Sequence, residues 1–96
     1  MTDIRLHELH ITGDIASLKE LRNLITLYLW KTQVYGDIGA LSELRKLTVV
    51  DLYKTQVSGD IASLSNLQNL TRLCLLDTKV TGNRLALQKQ LPNNIM

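Results

Sequence analysis

Apolar positions along this chain alternate between two spacings. Leu24-x-x-Leu27-x-Leu29, Leu47-x-x-Val50-x-Leu52 and Leu70-x-x-Leu73-x-Leu75 end in strict alternation, the period of a half-buried strand. Between them the apolar residues fall three apart, as Ile38, Leu41, Leu44 and Leu47, and again as Ile61, Leu64, Leu67 and Leu70. That spacing predicts 3₁₀-like or irregular turns rather than long α-helices. The two patterns recur together. Gly13, Gly36, Gly59 and Gly82 lie 23 residues apart, as do Thr32, Thr55 and Thr78, and Val34, Val57 and Val80.

Gly-Asp, at 13–14, 36–37 and 59–60, reads as a turn whose aspartate caps the N–H groups that follow. Each unit is thus expected to make one short strand, one turn and one compact return segment. Neither half can bury its apolar face alone, so stacked neighbours must supply the core. The period divides a single domain, 1–96, into a partial repeat 1–12, full repeats 13–35, 36–58 and 59–81, and a closing cap-like segment 82–96.

The composite pattern L-x-x-L-x-L-x-x-T-x-V-x-G-D-I-x-x-L-x-x-L resembles the leucine-rich repeat and covers essentially the whole chain. The resemblance implies an α/β repeat fold: a short solenoid with a parallel concave sheet and 3₁₀ or irregular turns on the convex side. It also implies a non-enzymatic module for protein–protein interaction. Two departures stand out. Thr32, Thr55 and Thr78 occupy the place where the family usually has Asn or Cys bonding to buried loop backbone, and Leu9 holds it in the first repeat. A Thr hydroxyl has fewer donors than an amide, and Leu9 has none. The Gln88–Asn93 stretch is similar to the endings of leucine-rich arrays, whereas residues 1–12 hold only a partial repeat with an expected strand at 4–6. A closed C-terminal end and an open N-terminal end are therefore expected.

Composition narrows the chemistry. Leucine supplies 20 of 96 residues, phenylalanine none, and the aromatics are one Trp and three Tyr. Hydrophobic content of 45% excludes wholesale disorder, and no apolar run approaches the roughly 20 residues of a membrane span. The lone Cys74 excludes an internal disulfide framework and a multi-cysteine metal site. With no signal-like apolar segment in the opening MTDIRLHELH, a cytoplasmic or other reducing compartment is expected. There is no glycine-rich phosphate loop. The five serines fall in turns or return segments, and His7 and His10 are the only histidines. No catalytic site, metal or cofactor is expected. His7-Glu8-Leu9-His10 is one residue short of a metal-binding helical spacing, and both histidines read as solvated groups near a frayed end. Asn69-Leu70-Thr71 fits the glycosylation sequon.

The strands carry the functional expectation. Parallel stacking places equivalent residues in columns about 4.8 Å apart. One column reads His7, Trp30, Tyr53, Leu76, and another reads Arg5, Tyr28, Asp51, Cys74. Beside them run Glu8, Lys31, Lys54, Asp77 and Asp3, Thr26, Val49, Arg72. Exposed aromatics among charges are the composition of binding hot spots. The expected partner-binding residues are Tyr28, Trp30, Lys31, Asp51, Tyr53, Lys54, Arg72 and Leu76, and the expected partner is a protein. Four basic residues against four acidic ones in these columns give no phosphate-binding footprint, so nucleic acid is not expected, and without a spanning apolar run neither is membrane insertion. The alternative is an accessory subunit of a larger assembly or oligomer, docked through the apolar N-terminal end at Leu6, Leu9 and Ile11.

Overall fold

Two parallel sheets, not one, run the length of the molecule. The computed structural model describes residues 2–95. The strands are β1 (Asp3–Arg5), β2 (Thr12–Asp14), β3 (Thr26–Tyr28), β4 (Gln33–Asp37), β5 (Val49–Asp51), β6 (Gln56–Asp60), β7 (Arg72–Cys74) and β8 (Lys79–Thr81). They form sheets in the orders β1-β3-β5-β7 and β2-β4-β6-β8. Three-residue spacing does produce 3₁₀ helices, at Ile15–Leu18, Ile38–Leu41 and Ile61–Leu64. One α-helix, α1 (Arg84–Gln90), follows the last strand. The chain therefore folds as a short α/β leucine-rich repeat solenoid.

The second sheet corrects the expectation of a simple Gly-Asp turn. Gly36-Asp37 and Gly59-Asp60 are the ends of the five-residue strands β4 and β6. The two sheets also differ in register. In the first, Ile4 pairs with Leu27, Leu27 with Val50 and Val50 with Leu73, a full repeat apart. In the second, Thr12 pairs with Gln33 and Gly36 with Val57, each 21 residues apart. A slip of two residues preserves which side chains face inward, because the strand period is two.

That slip gives the glycines their purpose. Each aspartate accepts a hydrogen bond from the backbone two residues on: Ala16 N–H to Asp14, Gly39 N–H to Asp37 and Ala62 N–H to Asp60, at 2.7–2.9 Å. These caps start the three 3₁₀ helices, as their sequence predicts. Each capping side chain lies against the glycine of the next repeat. A Cβ built on Gly59 would stand 2.5 Å from Asp37 Oδ1, and one on Gly82 would stand 2.6 Å from Asp60 Oδ1. Gly13, with nothing within 4 Å of that position, is the exception.

The core is a stack of leucines with aliphatic β-branched residues. Leu24, Leu27, Ile38, Leu41, Leu44, Leu47, Val50, Leu52, Val57, Leu64, Leu67 and Leu70 are fully buried. Thr32, Thr55 and Thr78 each donate a hydroxyl hydrogen bond to the carbonyl three residues back, on Leu29, Leu52 and Leu75. These bonds close the turn after each strand. The bonds between repeats come from elsewhere: Thr48 to the Ile25 carbonyl, Thr71 to that of Thr48, Asn69 to that of Arg45, and Asn93 to that of Leu70. Both polar residues of the sequon thus tie one repeat to another.

The two ends differ. At the rear, α1 and the segment after it bury Leu87, Leu91 and Ile95 over the last repeat. Asn83 caps α1 by accepting the Ala86 N–H, and Gln88 accepts the Ile95 N–H. At the front, Leu6 is 42% and Leu9 50% exposed, and Leu18 and Leu21 are only half-buried.

Candidate protein-binding face

The strand pleat presents one side of each strand to the core and the other to the concave surface. Leu27, Val50 and their neighbours point inward, so Tyr28, Asp51 and Cys74 point outward in register with Arg5. Just after each strand the chain turns sharply. Glu8, Lys31, Lys54 and Asp77 adopt left-handed backbone conformations, with φ between 56° and 61°. Such a conformation costs an L-residue roughly 1–2 kcal/mol. The turn throws Trp30 and Tyr53 onto the surface, and the lysine that follows each lies beside its ring.

Rings and cations interleave across this surface. His7 stacks flat on Trp30, with centroids 4.6 Å apart and planes 9° from parallel. It meets Tyr28 edge-on at 6.1 Å. Arg5 lies over the Tyr28 ring at 5.0 Å, Lys31 Nζ over Trp30 at 5.9 Å, and Lys54 Nζ over Tyr53 at 5.5 Å. Each such contact is worth about 0.5–1 kcal/mol at exposed sites. Together they hold the long side chains along the rings. Tyr28, Trp30 and Tyr53 remain half-buried.

The strand register brings Tyr28, Trp30, Lys31, Tyr53 and Lys54 together on one face, while two residues differ in their surroundings from what the sequence suggests. His7 is not a solvated group near a frayed end. It is half-buried, and its Nδ1 is buried with no hydrogen-bond partner among the described residues. Its place in the Trp30 column was the signal available beforehand. Asp51 is the other case. It is only 7% exposed, and its carboxylate accepts the Tyr53 N–H at 3.2 Å, so it braces the turn that carries Tyr53. Arg72 is exposed at the start of β7, and Leu76 is 56% exposed beyond its end. They flank the aromatic group toward the rear. His10 is exposed and apart from His7's stack. Tyr35 stands 48% exposed on β4, outside the concave sheet.

Among the described residues, no group of three or more His, Cys, Asp or Glu could hold a metal ion. No helix among them is long and apolar enough to cross a membrane.

No family model matches the chain, and no curated protein matches its sequence. Solved structures do match its fold. Internalin C2 from Listeria monocytogenes is 29% identical, with a TM-score of 0.75 over 97% of this chain and 39% of its own. The leucine-rich repeat ectodomain of the receptor kinase SOBIR1 from Arabidopsis thaliana is 26% identical, with a TM-score of 0.77 over 85% of this chain and 46% of its own. The Arabidopsis receptor kinase HAESA ectodomain, solved in complex with an IDA peptide hormone ligand, is 27% identical, with a TM-score of 0.73 over 82% and 14%. The chain spans less than half the length of each. It is a leucine-rich repeat protein.

Proposed function

We propose that this chain is a non-enzymatic protein-interaction module that binds a protein partner across its concave sheet. Trp30, Tyr53 and Tyr28 are the apolar anchors, and Lys31, Lys54 and Arg72 make the polar rim. Leu76 extends the contact toward the rear, and Asp51 acts by bracing Tyr53. The observation that carries this reading is the row of half-exposed rings, each held by a cation from its own or the neighbouring repeat. Rings pre-set in this way lose little conformational freedom on binding, the economy that makes aromatic hot spots effective. The structural relatives are in keeping with it, since the HAESA ectodomain holds a peptide hormone. Charges of both signs surround the rings, with Lys31 and Lys54 flanked by Glu8 and Asp77, which suits a protein surface better than a polyphosphate backbone.

The test is affinity capture with the wild-type chain beside Trp30→Ala/Tyr53→Ala, followed by titration of the captured partner with each single variant. Each substitution should weaken binding by more than about 1 kcal/mol, or roughly fivefold to tenfold in Kd. Thermal melts establish that the variants fold. A partner held equally well by the folded double variant would refute the concave-face reading.

A further inference from the structure

Lys31 and Lys54 hold equivalent places in consecutive repeats, each in the left-handed turn after its strand. Their backbones are pinned to the repeat behind. The Lys31 N–H donates to the Tyr53 carbonyl at 2.7 Å, and the Lys54 N–H to that of Leu76 at 3.0 Å. Neighbouring places in such a column lie about 4.8 Å apart. Two exposed lysines are thereby rooted side by side, one ammonium over the Trp30 ring and the other over that of Tyr53. Like charges held this close repel each other. Neither lysine is in an ion pair: among the described residues those pairs are Arg5–Asp3 and Arg45–Glu43. Asp51 is buried, with its carboxylate turned to the Tyr53 N–H. Glu8 and Asp77, both exposed, take the outer places of the same column. Along the solenoid the column therefore reads negative, positive, positive, negative.

We propose that the occupant of this face is a protein segment carrying two neighbouring carboxylates, from Asp or Glu, that seat on Lys31 and Lys54. The proposal rests on the concave-face reading and names the chemistry of its partner. An acidic pair between the ammonium groups removes their mutual repulsion and complements the centre of the column. A ring or aliphatic side chain beside the acids packs on Trp30 and Tyr53, where apolar anchors belong in an interface. Glu8 and Asp77 limit the acidic stretch. A run of acids that continues past the two lysines meets like charge at both ends, so the segment is acidic at its centre and neutral or basic on either side. Exposed charges of this kind act chiefly on the association rate and on its salt dependence.

Selection from short random peptides displayed on phage tests this, with the wild type and Lys31→Glu/Lys54→Glu as separate baits. Both lysines are exposed, and circular dichroism with thermal melts confirms that the variant folds. The wild type should enrich peptides with paired Asp or Glu beside an apolar residue, and the reversed bait should enrich Lys and Arg instead. A synthetic copy of a selected acidic peptide should bind Lys31→Glu/Lys54→Glu at least about tenfold more weakly than wild type, mostly through slower association. Lys31→Gln/Lys54→Gln should fall between them. Lys19→Glu/Arg22→Glu, the same charge change on the return segment of the first full repeat, should bind within about twofold of wild type. Wild-type binders without an excess of Asp and Glu overturn the proposal, as does a wild type that enriches no peptide. So does an acidic peptide that binds the reversed variant as well as wild type, or one that Lys19→Glu/Arg22→Glu weakens equally. Failure of the wider reading is distinct from these: binding would then survive Trp30→Ala/Tyr53→Ala, whereas binders that need the rings but not the acids overturn only the charge assignment.

Discussion

Leu18 and Leu64 hold the same place in their repeats, yet Leu64 is fully buried and Leu18 only half-buried. Gly13 and Gly59 are likewise equivalent, and only Gly59 has an aspartate against it. The front and the interior of this solenoid are built from nearly the same residues. What differs is the neighbour. In a repeat stack, stability belongs to interfaces between units as much as to the units themselves, so equal residues contribute unequally along the axis.

The largest effect expected from this comparison is in the core. Leu64→Ala should cost about 3 kcal/mol and Leu18→Ala about 1 kcal/mol, measured by urea unfolding in dilute solution, because the second cavity is already open to water. Equal losses would mean that the front leucines are as well packed as the interior. Next come the glycines. Gly59→Ala should cost more than about 2 kcal/mol, from its left-handed backbone (φ +98°) and the Asp37 carboxylate in its path. Gly13→Ala, at φ +143° but with open space, should lose only the backbone component. The two melting temperatures would coincide if the aspartate contact were irrelevant. The caps provide the control. Asp14→Ala and Asp60→Ala should each lose about 1 kcal/mol, front and interior alike, since each cap bonds within its own repeat. Smallest of all, Glu8→Asn should raise stability by about 0.5 kcal/mol, because Asn tolerates left-handed backbone better than Glu.

Much of the candidate face was legible before the fold was known. A 23-residue period fixes which residues share a column, so Trp30, Tyr53 and Tyr28 could be placed together from spacing alone. Their ring partners could not. Whether His7 meets Trp30 or solvent depends on rotamers at a solenoid end, and nothing in the period encodes that. Asp51 shows the same limit: alternation put it on the surface, but a local hydrogen bond to the Tyr53 N–H drew its carboxylate in. The second sheet was hidden for another reason. Gly-Asp is ordinary turn chemistry, and it makes strand only because the next repeat supplies a backbone partner 21 residues away.

The sequence by itself determined the repeat, the strand-and-3₁₀ alternation, the leucine core and the columns of the concave face. These follow from local periodicity, which the chain carries within every repeat. The tertiary structure alone decided the two-residue slip of the second sheet and the lock of each aspartate against the next glycine. Those depend on which surfaces meet, and stacking one repeat on another is a property of the assembled solenoid rather than of any single segment.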